Sequence, residues 1–222
     1  MDFSLLIDVS AQYSAHLGMA KVVKDWGADR KISRLQVSLC DISEPVCASL
    51  ATAFELHSNV RVIFGDILSF STDALVTASN SFGDMGGGVD RAIDLACKGE
   101  AQQTVQNLIR SECLGELPVG QALLVPVAER RLIVAPTMRI PGSISGTINA
   151  YLAFRAALVL IAKHNEASPT PILSVAVPGL GCGVGGLSPE ETAQQMEAAY
   201  SNIAEGGWMH AVHPALAPFA GY

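Results

Sequence analysis

The stretch ILSVAVPGLGCGVGGLSPEE, residues 172–191, contains a strand pattern, a glycine-rich loop and a helix start in direct succession. Residues 172–177 form an apolar, β-branched run that predicts a strand buried on both faces. Residues 188–191, Ser-Pro-Glu-Glu, predict a helix start with serine as the N-cap, proline at the first position and glutamate at the third. A buried strand, a loop and a helix in this order indicate an α/β domain.

The same alternation of short apolar runs and longer helical patterns continues on both sides of this stretch. The predicted strands are residues 5–9, 35–39, 60–64, 74–78, 122–127, 131–135 and 172–177. The predicted helices are residues 11–26, 44–57, 89–109 with a break near Gly99, 148–164 and 189–204. The short connection at Glu129-Arg130 fits only a hairpin, so its two strands run antiparallel. We therefore expect a three-layer α/β/α sandwich with a mixed central sheet.

The length and composition predict one main folded core. The 222 residues fit a single domain, half of them are hydrophobic and 16% are charged, against roughly 25% in an average soluble domain. We expect many stretches to be buried on more than one side, which excludes disorder as the main state. The formal net charge of −7 offers no broad basic surface for nucleic acid or an anionic membrane, so an anionic ligand must be bound locally.

The start of the chain and its cysteines predict a cytoplasmic protein. Asp2 stands where a signal peptide carries positive charge. The longest apolar stretch, residues 148–162, is interrupted by Arg155 and is too short to span a membrane. The five cysteines include no C-x-x-C pair, which fits reduced thiols better than disulfides or a zinc site. We expect an N-terminal extension of one strand and one helix packed on the domain, a main domain and a C-terminal tail, at residues 1–33, 34–205 and 206–222.

Three loops follow predicted strands, and open α/β sheets bind ligands at the carboxyl ends of their strands. The first loop is the turn Gly65-Asp66-Ile67, which follows the strand at residues 60–64. The Asp66 carboxylate can accept a hydrogen bond from an amino group. The alternative is an ordinary turn in which Asp66 caps the chain.

The second loop, NSFGDMGGGVD at residues 80–90, connects a predicted strand to a predicted helix. Its three successive glycines leave backbone amides uncovered, so these can line a sugar or phosphate beside the positive end of the helix. Asn80 offers a donor and an acceptor to hydroxyl groups, and Asp90 can hold a water or a sugar hydroxyl as a base. The alternative is a flexible glycine tip in which both polar side chains only support the turn and the helix.

The third loop, residues 178–187, has alternating glycines that suit a diphosphate. No Gly-Lys-Ser/Thr follows, so a nucleoside-triphosphate P-loop is excluded. Residues 181–186 match G-x-G-x-x-G, which raises an NAD-dependent oxidoreductase as an alternative. However, only 36 residues follow Gly186, too few for the βαβαβ unit that this motif opens.

Two further candidates are weaker. Cys182 precedes a helix start, where a thiolate is stabilised, but no histidine has a sequence claim to be its base, and a small buried thiol is favoured. His210 and His213 have the spacing of metal ligands, but the tail supplies no third ligand. We therefore predict no metal site and no cofactor.

Together, the three loops resemble the macro domain, a family that binds ADP-ribose, over residues 35–200. The resemblance implies that Asp66 binds the adenine amino group beside Ile67, that Asn80 meets the distal ribose and that the third loop wraps the diphosphate. It implies a partner that is ADP-ribose or an ADP-ribosylated molecule. The predicted ligand-binding residues are Asp66, Ile67, Gly86, Gly87, Gly88, Val89, Pro178, Gly179, Leu180, Gly181, Cys182, Gly183 and Val184.

The resemblance also bears on catalysis. Macro-domain hydrolases of ADP-ribosylated acidic side chains or of O-acetyl-ADP-ribose carry N-x-x-x-x-x-G-G-G-V-D, and residues 80–90 repeat it without a gap. This implies Asn80 and Asp90 as catalytic residues, with Asp90 holding a water. The departures are Thr77-Ala-Ser-Asn80 in place of N-A-A-N, Asp94 in place of a histidine, and a third loop that lacks the aromatic residue of those hydrolases. A reader that binds ADP-ribose without turnover is therefore the second hypothesis.

Overall fold

The computed structural model describes residues 31–207 of the chain. The predicted strand at residues 5–9, the predicted helix at residues 11–26 and both His210 and His213 lie outside these residues. Ile32, within the predicted extension, is buried in the same core as the main domain.

A six-stranded mixed sheet forms the centre of the fold. Its strands are β1 (Gln36–Asp41), β2 (Val60–Phe64), β3 (Ala74–Thr77), β4 (Leu123–Val127), β5 (Arg130–Val134) and β6 (Ser174–Val177). The strand order is β2-β1-β6-β3-β5-β4, and every neighbouring pair is parallel except β4 with β5. The hairpin predicted at Glu129-Arg130 is confirmed by the antiparallel pairing of Val127 with Arg130. β4 lies at the edge, where a strand tolerates Pro126.

Within residues 31–207, five α-helices cover the two faces of the sheet. They are α1 (Glu44–Ala53), α2 (Gly88–Ala96), α3 (Glu100–Glu112), α4 (Asn149–Ala167) and α5 (Pro189–Ile203). One core cluster joins the sheet to α1, α4 and α5 through residues such as Leu50, Phe154 and Met196. A second cluster joins the opposite face to α2 and α3 through Ile93 and Val105. The predicted three-layer α/β/α sandwich with a mixed sheet is confirmed.

The structure corrects the bounds of several elements. Helix α1 ends at Ala53 and not at residue 57, since Phe54 turns the chain while its N–H donates to the Leu50 oxygen. The strand predicted from residue 172 begins at Ser174, because the Asn165 side chain bonds both backbone groups of Ile172. The break predicted near Gly99 is confirmed, since this residue, with φ of 81°, separates α2 from α3.

The described part of the chain, residues 31–207, contains no helix that is both long and apolar enough to cross a bilayer.

Candidate functional site

Two adjoining cavities lie across the carboxyl ends of the parallel strands. The first, of about 550 Å³, lies beside the ends of β1 and β2, and the second, of about 330 Å³, lies beside the end of β3. Both volumes fall in the range typical of small-molecule sites. The residues that line both cavities are Gly88, Val89, Pro178, Gly179 and Gly183. The second and third loops therefore form one cleft with two compartments.

Asp66 and Ile67, two of the predicted ligand-binding residues, line the first cavity. One carboxylate oxygen of Asp66 accepts a hydrogen bond from Leu68 N–H at 2.9 Å, which is the turn-capping role of the alternative interpretation. Asp66 is nevertheless exposed, so its carboxylate also faces the cavity. Ile67 is buried below it and supplies an apolar wall. The two interpretations of this turn are thus compatible.

Asp41 is a residue of the first cavity that the sequence analysis did not select. It ends β1, and its two carboxylate oxygens accept from Ser43 N–H at 2.9 Å and from Gly179 N–H at 3.1 Å. Asp41 thereby ties the end of β1 to the third loop. An acidic residue directly after a buried strand is the same signal that selected Asp66, so the sequence did contain a sign of this residue.

The third loop is closely packed, which explains its glycines. A Cβ atom on Gly179 would lie 2.6 Å from Val46 and 2.8 Å from the Asp41 carboxylate, so no side chain fits there. Gly181 has φ of 89°, in the left-handed region that favours glycine. By contrast, a Cβ atom on Gly183 would meet nothing within 4 Å, because this glycine faces the cleft. The loop is a fixed backbone cradle.

The side chains of two predicted ligand-binding residues in this loop, Leu180 and Cys182, have partners within the protein. The Leu180 side chain is fully buried in the core and lines neither cavity, so this residue can meet a ligand in the cleft only through its backbone. Cys182 lines the first cavity, but its thiol donates to the Thr192 hydroxyl at 3.0 Å. Burial raises the pKa of the Cys182 thiol, so the uncharged form is favoured and the nucleophile hypothesis has no support.

Asn80 lines the second cavity but offers less than predicted. Its Oδ1 atom accepts from Phe82 N–H at 3.0 Å and from Asp84 N–H at 3.2 Å. The acceptor therefore serves the loop itself. Since an amide nitrogen only donates, the Nδ2 group is what Asn80 can offer to a ligand in the cavity.

Hydrogen bonds tie the second loop to the elements around it. The Ser81 N–H donates to the Met138 oxygen at 3.1 Å, and the Met85 N–H donates to the Gln102 side chain of α3 at 2.8 Å. Gln102 N–H in turn donates to Asp94 at 2.9 Å, so Asp94 supports the junction of α2 and α3. Asp94, which stands where the hydrolases of this family have a histidine, thus has a structural role in this chain. These hydrogen bonds hold residues 81–85, whereas the alternative of a flexible tip concerned the three glycines at residues 86–88, which they do not reach.

The three predicted glycines are exposed and line the second cavity, and α2 begins at the last of them, Gly88. Gly87 is the N-cap residue, with no side chain to satisfy the first helical amides. These amides and the positive end of the helix macrodipole favour a negatively charged ligand.

Asp90 lies in the first turn of α2, lines the second cavity and is partly buried. The Thr77 hydroxyl at the end of β3 donates to its Oδ1 atom. Burial raises the pKa of Asp90 to about 6, and the nearby Asp84 acts in the same direction, while hydrogen bonds from Thr77 and the Ala78 backbone oppose this rise. Above that pH the group is an oriented carboxylate that can hold and deprotonate a water.

No group of three or more His, Cys, Asp or Glu side chains between residues 31 and 207 is arranged to hold a metal ion. All five cysteines lie in this part of the chain and are free thiols.

The sequence was compared with known proteins. A family model described as macro domain matches residues 76–196, more than half of the chain. The chain belongs to the macro domain family. This agrees with a 36% identity to an uncharacterized protein of Aeropyrum pernix over 154 residues, which cover 67% of this chain and 74% of that relative. An O-acetyl-ADP-ribose deacetylase of Salmonella gallinarum is 33% identical over 144 residues, or 63% of this chain and 75% of its own.

Solved macro domains have the same fold. The macrodomain of Mycobacterium tuberculosis DarG is similar with a TM-score of 0.53 and 26% identity, over 63% of this chain and 88% of its own. A variant of the Oceanobacillus iheyensis macrodomain solved with ADPR has a TM-score of 0.53 and 26% identity, over 64% of this chain and 75% of its own. The family and the fold class implied by the three loops are therefore confirmed.

Proposed function

We propose that this macro domain binds ADP-ribose across the two cavities and hydrolyses an ADP-ribose conjugate, either a mono-ADP-ribosylated protein or O-acetyl-ADP-ribose. The adenine lies in the first cavity, with its amino group on Asp66. The diphosphate lies along the amides of the second and third loops, where the cavities join. The distal ribose lies in the second cavity, beside Asn80 and Asp90. The solved macrodomain with ADPR supports this ligand class.

The observation that carries the hydrolase is the environment of Asp90. It is a partly buried carboxylate, oriented by the Thr77 hydroxyl, beside the Asn80 donor in one cavity. Since it is a carboxylate at neutral pH, it can position a water next to the distal ribose and accept its proton. The relatives named O-acetyl-ADP-ribose deacetylase support the same class of reaction.

A reader without turnover is the second candidate, favoured by Val184. The third loop presents this small aliphatic residue to the second cavity and no aromatic ring. Without a ring to fix the ribose, the cleft would bind ADP-ribose while the attacking geometry stays unformed.

The test is hydrolysis of O-acetyl-ADP-ribose and of a mono-ADP-ribosylated protein by the wild-type chain and by Asp90→Ala. We expect a loss of turnover of about a hundredfold or more in Asp90→Ala, with a change in ADP-ribose affinity of about threefold or less. The matched control is Glu55→Ala, at an exposed acid near the opposite end of the sheet. We expect this variant to keep both the turnover and the ADP-ribose affinity of the wild type. Tight binding with no wild-type turnover on either substrate would establish the reader instead.

A further inference from the structure

A groove outside the cleft runs along the edge of the sheet, between α4 and the start of β4. Its volume is about 570 Å³, and none of the residues that line it lines either cavity of the cleft. β4 is the edge strand of the sheet, and α4 contacts it from one side. Ala122 and Leu124, at the start of this strand, remain only partly buried. The groove therefore exposes a strip of the sheet that lies directly beside a core cluster.

The floor of the groove is apolar. One face of α4 forms its wall, since the lining residues of this helix recur every four positions, at 155, 156, 159, 160, 163 and 164. Val159 and Leu160 supply apolar surface from the helix, and Leu124 supplies it from the strand. An occupant with apolar side chains on one side would remove this surface from water.

The charges along the groove are positive. Arg155 is half-buried and Lys163 is exposed, two turns further along the same face of α4. Neither makes an ion pair with any residue from 31 to 207. His164 also lines the groove, and its Nε2 atom lies 3.1 Å from the Thr170 oxygen. No Asp or Glu between residues 31 and 207 lines the groove, so carboxylates on an occupant are favoured.

The start of the described part of the chain lies next to the same helix. Residues 31–34 form a short 3-10 turn that contacts α4. Ile32 of this turn is buried in the core cluster that contains Phe154 and Leu158 of α4. Residues 1–30 therefore join the fold beside the helix that forms the wall of the groove.

Residues 2–9, Asp-Phe-Ser-Leu-Leu-Ile-Asp-Val, match the groove in polarity and in length. Asp2 and Asp8 are their only charged side chains, and both are acidic. In the strand predicted at residues 5–9, the side chains of Leu5, Ile7 and Val9 share one side. Five extended residues span about 17 Å, and the α4 face from residue 155 to residue 164 spans about 14 Å.

The other end of the chain matches the groove less well. Residues 208–222 contain no Asp or Glu, but they contain His210 and His213. The chain also leaves α5 toward the opposite edge of the sheet. There the Glu205 carboxylate lies 2.7 Å from Nδ1 of His57, shortly before the other edge strand, β2.

We propose that residues 5–9 of this chain lie in extended form along the groove, with their alternate apolar side chains on its floor and Asp8 beside Arg155 and Lys163. The connection through residues 10–30 is long enough, because a helix at residues 11–26 would itself span about 24 Å. Attachment to the same chain gives the segment an effective concentration of the order of millimolar, which favours it over a second copy. The inference does not depend on the proposed function, since groove and cleft are separate.

The test is cross-linking of the full chain with a carbodiimide, which joins a carboxylate directly to an amine, followed by digestion and mass spectrometry. We expect an amide between Asp8 and Lys163. Lys98, an exposed lysine in the turn between α2 and α3 on the opposite face of the sheet, is the internal control and should not be linked to Asp8. Mixing ¹⁵N-labelled with unlabelled chains shows whether the amide forms within one chain.

A variant of the groove locates the contact. Val159→Asp places an acid on the floor, so we expect the yield of the Asp8–Lys163 amide to fall by about fivefold or more. Leu56→Asp, at a residue that is 92% exposed near the opposite edge of the sheet, is the matched control and keeps the yield. The thermal unfolding of each variant shows that it is folded.

Unfolding temperatures supply a second measurement. Ile7→Ser should lower the unfolding temperature by about 2 to 4 °C, because it removes an apolar side chain from the floor. In the Val159→Asp background the same substitution should have no further effect, since the segment is already displaced. Additive decreases would show that residue 7 does not contact the groove.

The outcomes separate the occupants. An Asp8–Lys163 amide within one chain, weakened by Val159→Asp, supports the proposal. Absence of this amide overturns it, as does an equal yield of Asp8–Lys98. Amides that join labelled to unlabelled chains make a second copy the occupant and also overturn it. A failure of ADP-ribose to bind overturns the proposed function and leaves this inference standing.

Discussion

At the scale of single residues, the proposed hydrolysis depends most on Asp90. Burial raises the pKa of Asp90 to about 6, so the group is still a carboxylate at neutral pH. Because its pKa is higher than that of an ordinary aspartate, it is a stronger base toward a water molecule. Thr77 opposes the rise in pKa and fixes the orientation of the carboxylate. The two residues therefore act as a pair, with Thr77 as a positioning residue.

The pair predicts the pH dependence of turnover. Because the base must be ionised, we expect kcat to fall as the pH drops through about 6. Thr77→Val removes a hydrogen bond that lowers the pKa of Asp90, so the acid limb should move to higher pH. The control is Thr52→Val, at an exposed threonine of α1. A pH–rate profile of the two variants checks this, and an unmoved limb in Thr77→Val contradicts it.

The same residue predicts a pH-dependent stability. The pKa of Asp90 is raised from 3.8 to about 6 in the folded state, so folding favours its protonated form, and the contribution of Asp90 to the stability is lost as the pH rises from about 4 to about 6. Asp90→Asn does not titrate, so its stability relative to wild type should rise over that window by about 1 to 2 kcal/mol and then stay level. Denaturant unfolding at pH 4.5 and pH 7.5 measures the difference, and an advantage that shrinks with rising pH refutes the assignment.

The sequence predicts site residues only where a local pattern marks them. Asp66, Asp90 and the exposed glycines stand in recognisable loops, and the structure places them along the cleft. Thr77 lies inside a buried strand, where its hydroxyl gives no local sign of a partner thirteen residues away. Leu180 lies in a glycine-rich loop, but its side chain is buried in the core cluster that joins the sheet to three helices. The contacts that the sequence misses are those made by tertiary packing.

At the scale of elements, the third loop predicts a contrast between two of its glycines. Gly179→Ala would place a Cβ atom 2.6 Å from Val46 and 2.8 Å from Asp41, so we expect a loss of stability of about 1 to 3 kcal/mol. Gly183→Ala has open space within 4 Å and should unfold at the wild-type temperature. Thermal unfolding of both variants measures this contrast. Equal changes in unfolding temperature would mean that the third loop is not packed against β1 and α1.

The elements themselves were largely predictable. The Ser188 capping box fixed the start of α5, and the structure shows both of its hydrogen bonds. The ends were less predictable, because side chains replace the regular backbone bonds there. Asn165 takes both backbone groups of Ile172, which keeps that residue out of β6 although it is apolar and β-branched.

At the scale of the whole molecule, the strand order creates the cleft. β6 lies between β1 and β3, so the third loop is flanked by Asp41 on one side and by the second loop on the other. This arrangement depends on pairings between strands far apart in the chain, and the periodicity of single strands does not reveal it. The sequence predicted the layers and the hairpin at Glu129-Arg130, but not the order of the strands.

The central claim is that this cleft binds ADP-ribose, and the most direct measurement is calorimetric titration of the full chain with ADP-ribose, beside AMP, ADP and NAD. We predict one site of micromolar or tighter affinity for ADP-ribose, weakened about tenfold or more in Asp66→Ala and unchanged in Glu55→Ala. No detectable binding of ADP-ribose, or equal affinity in Asp66→Ala and wild type, would contradict the account.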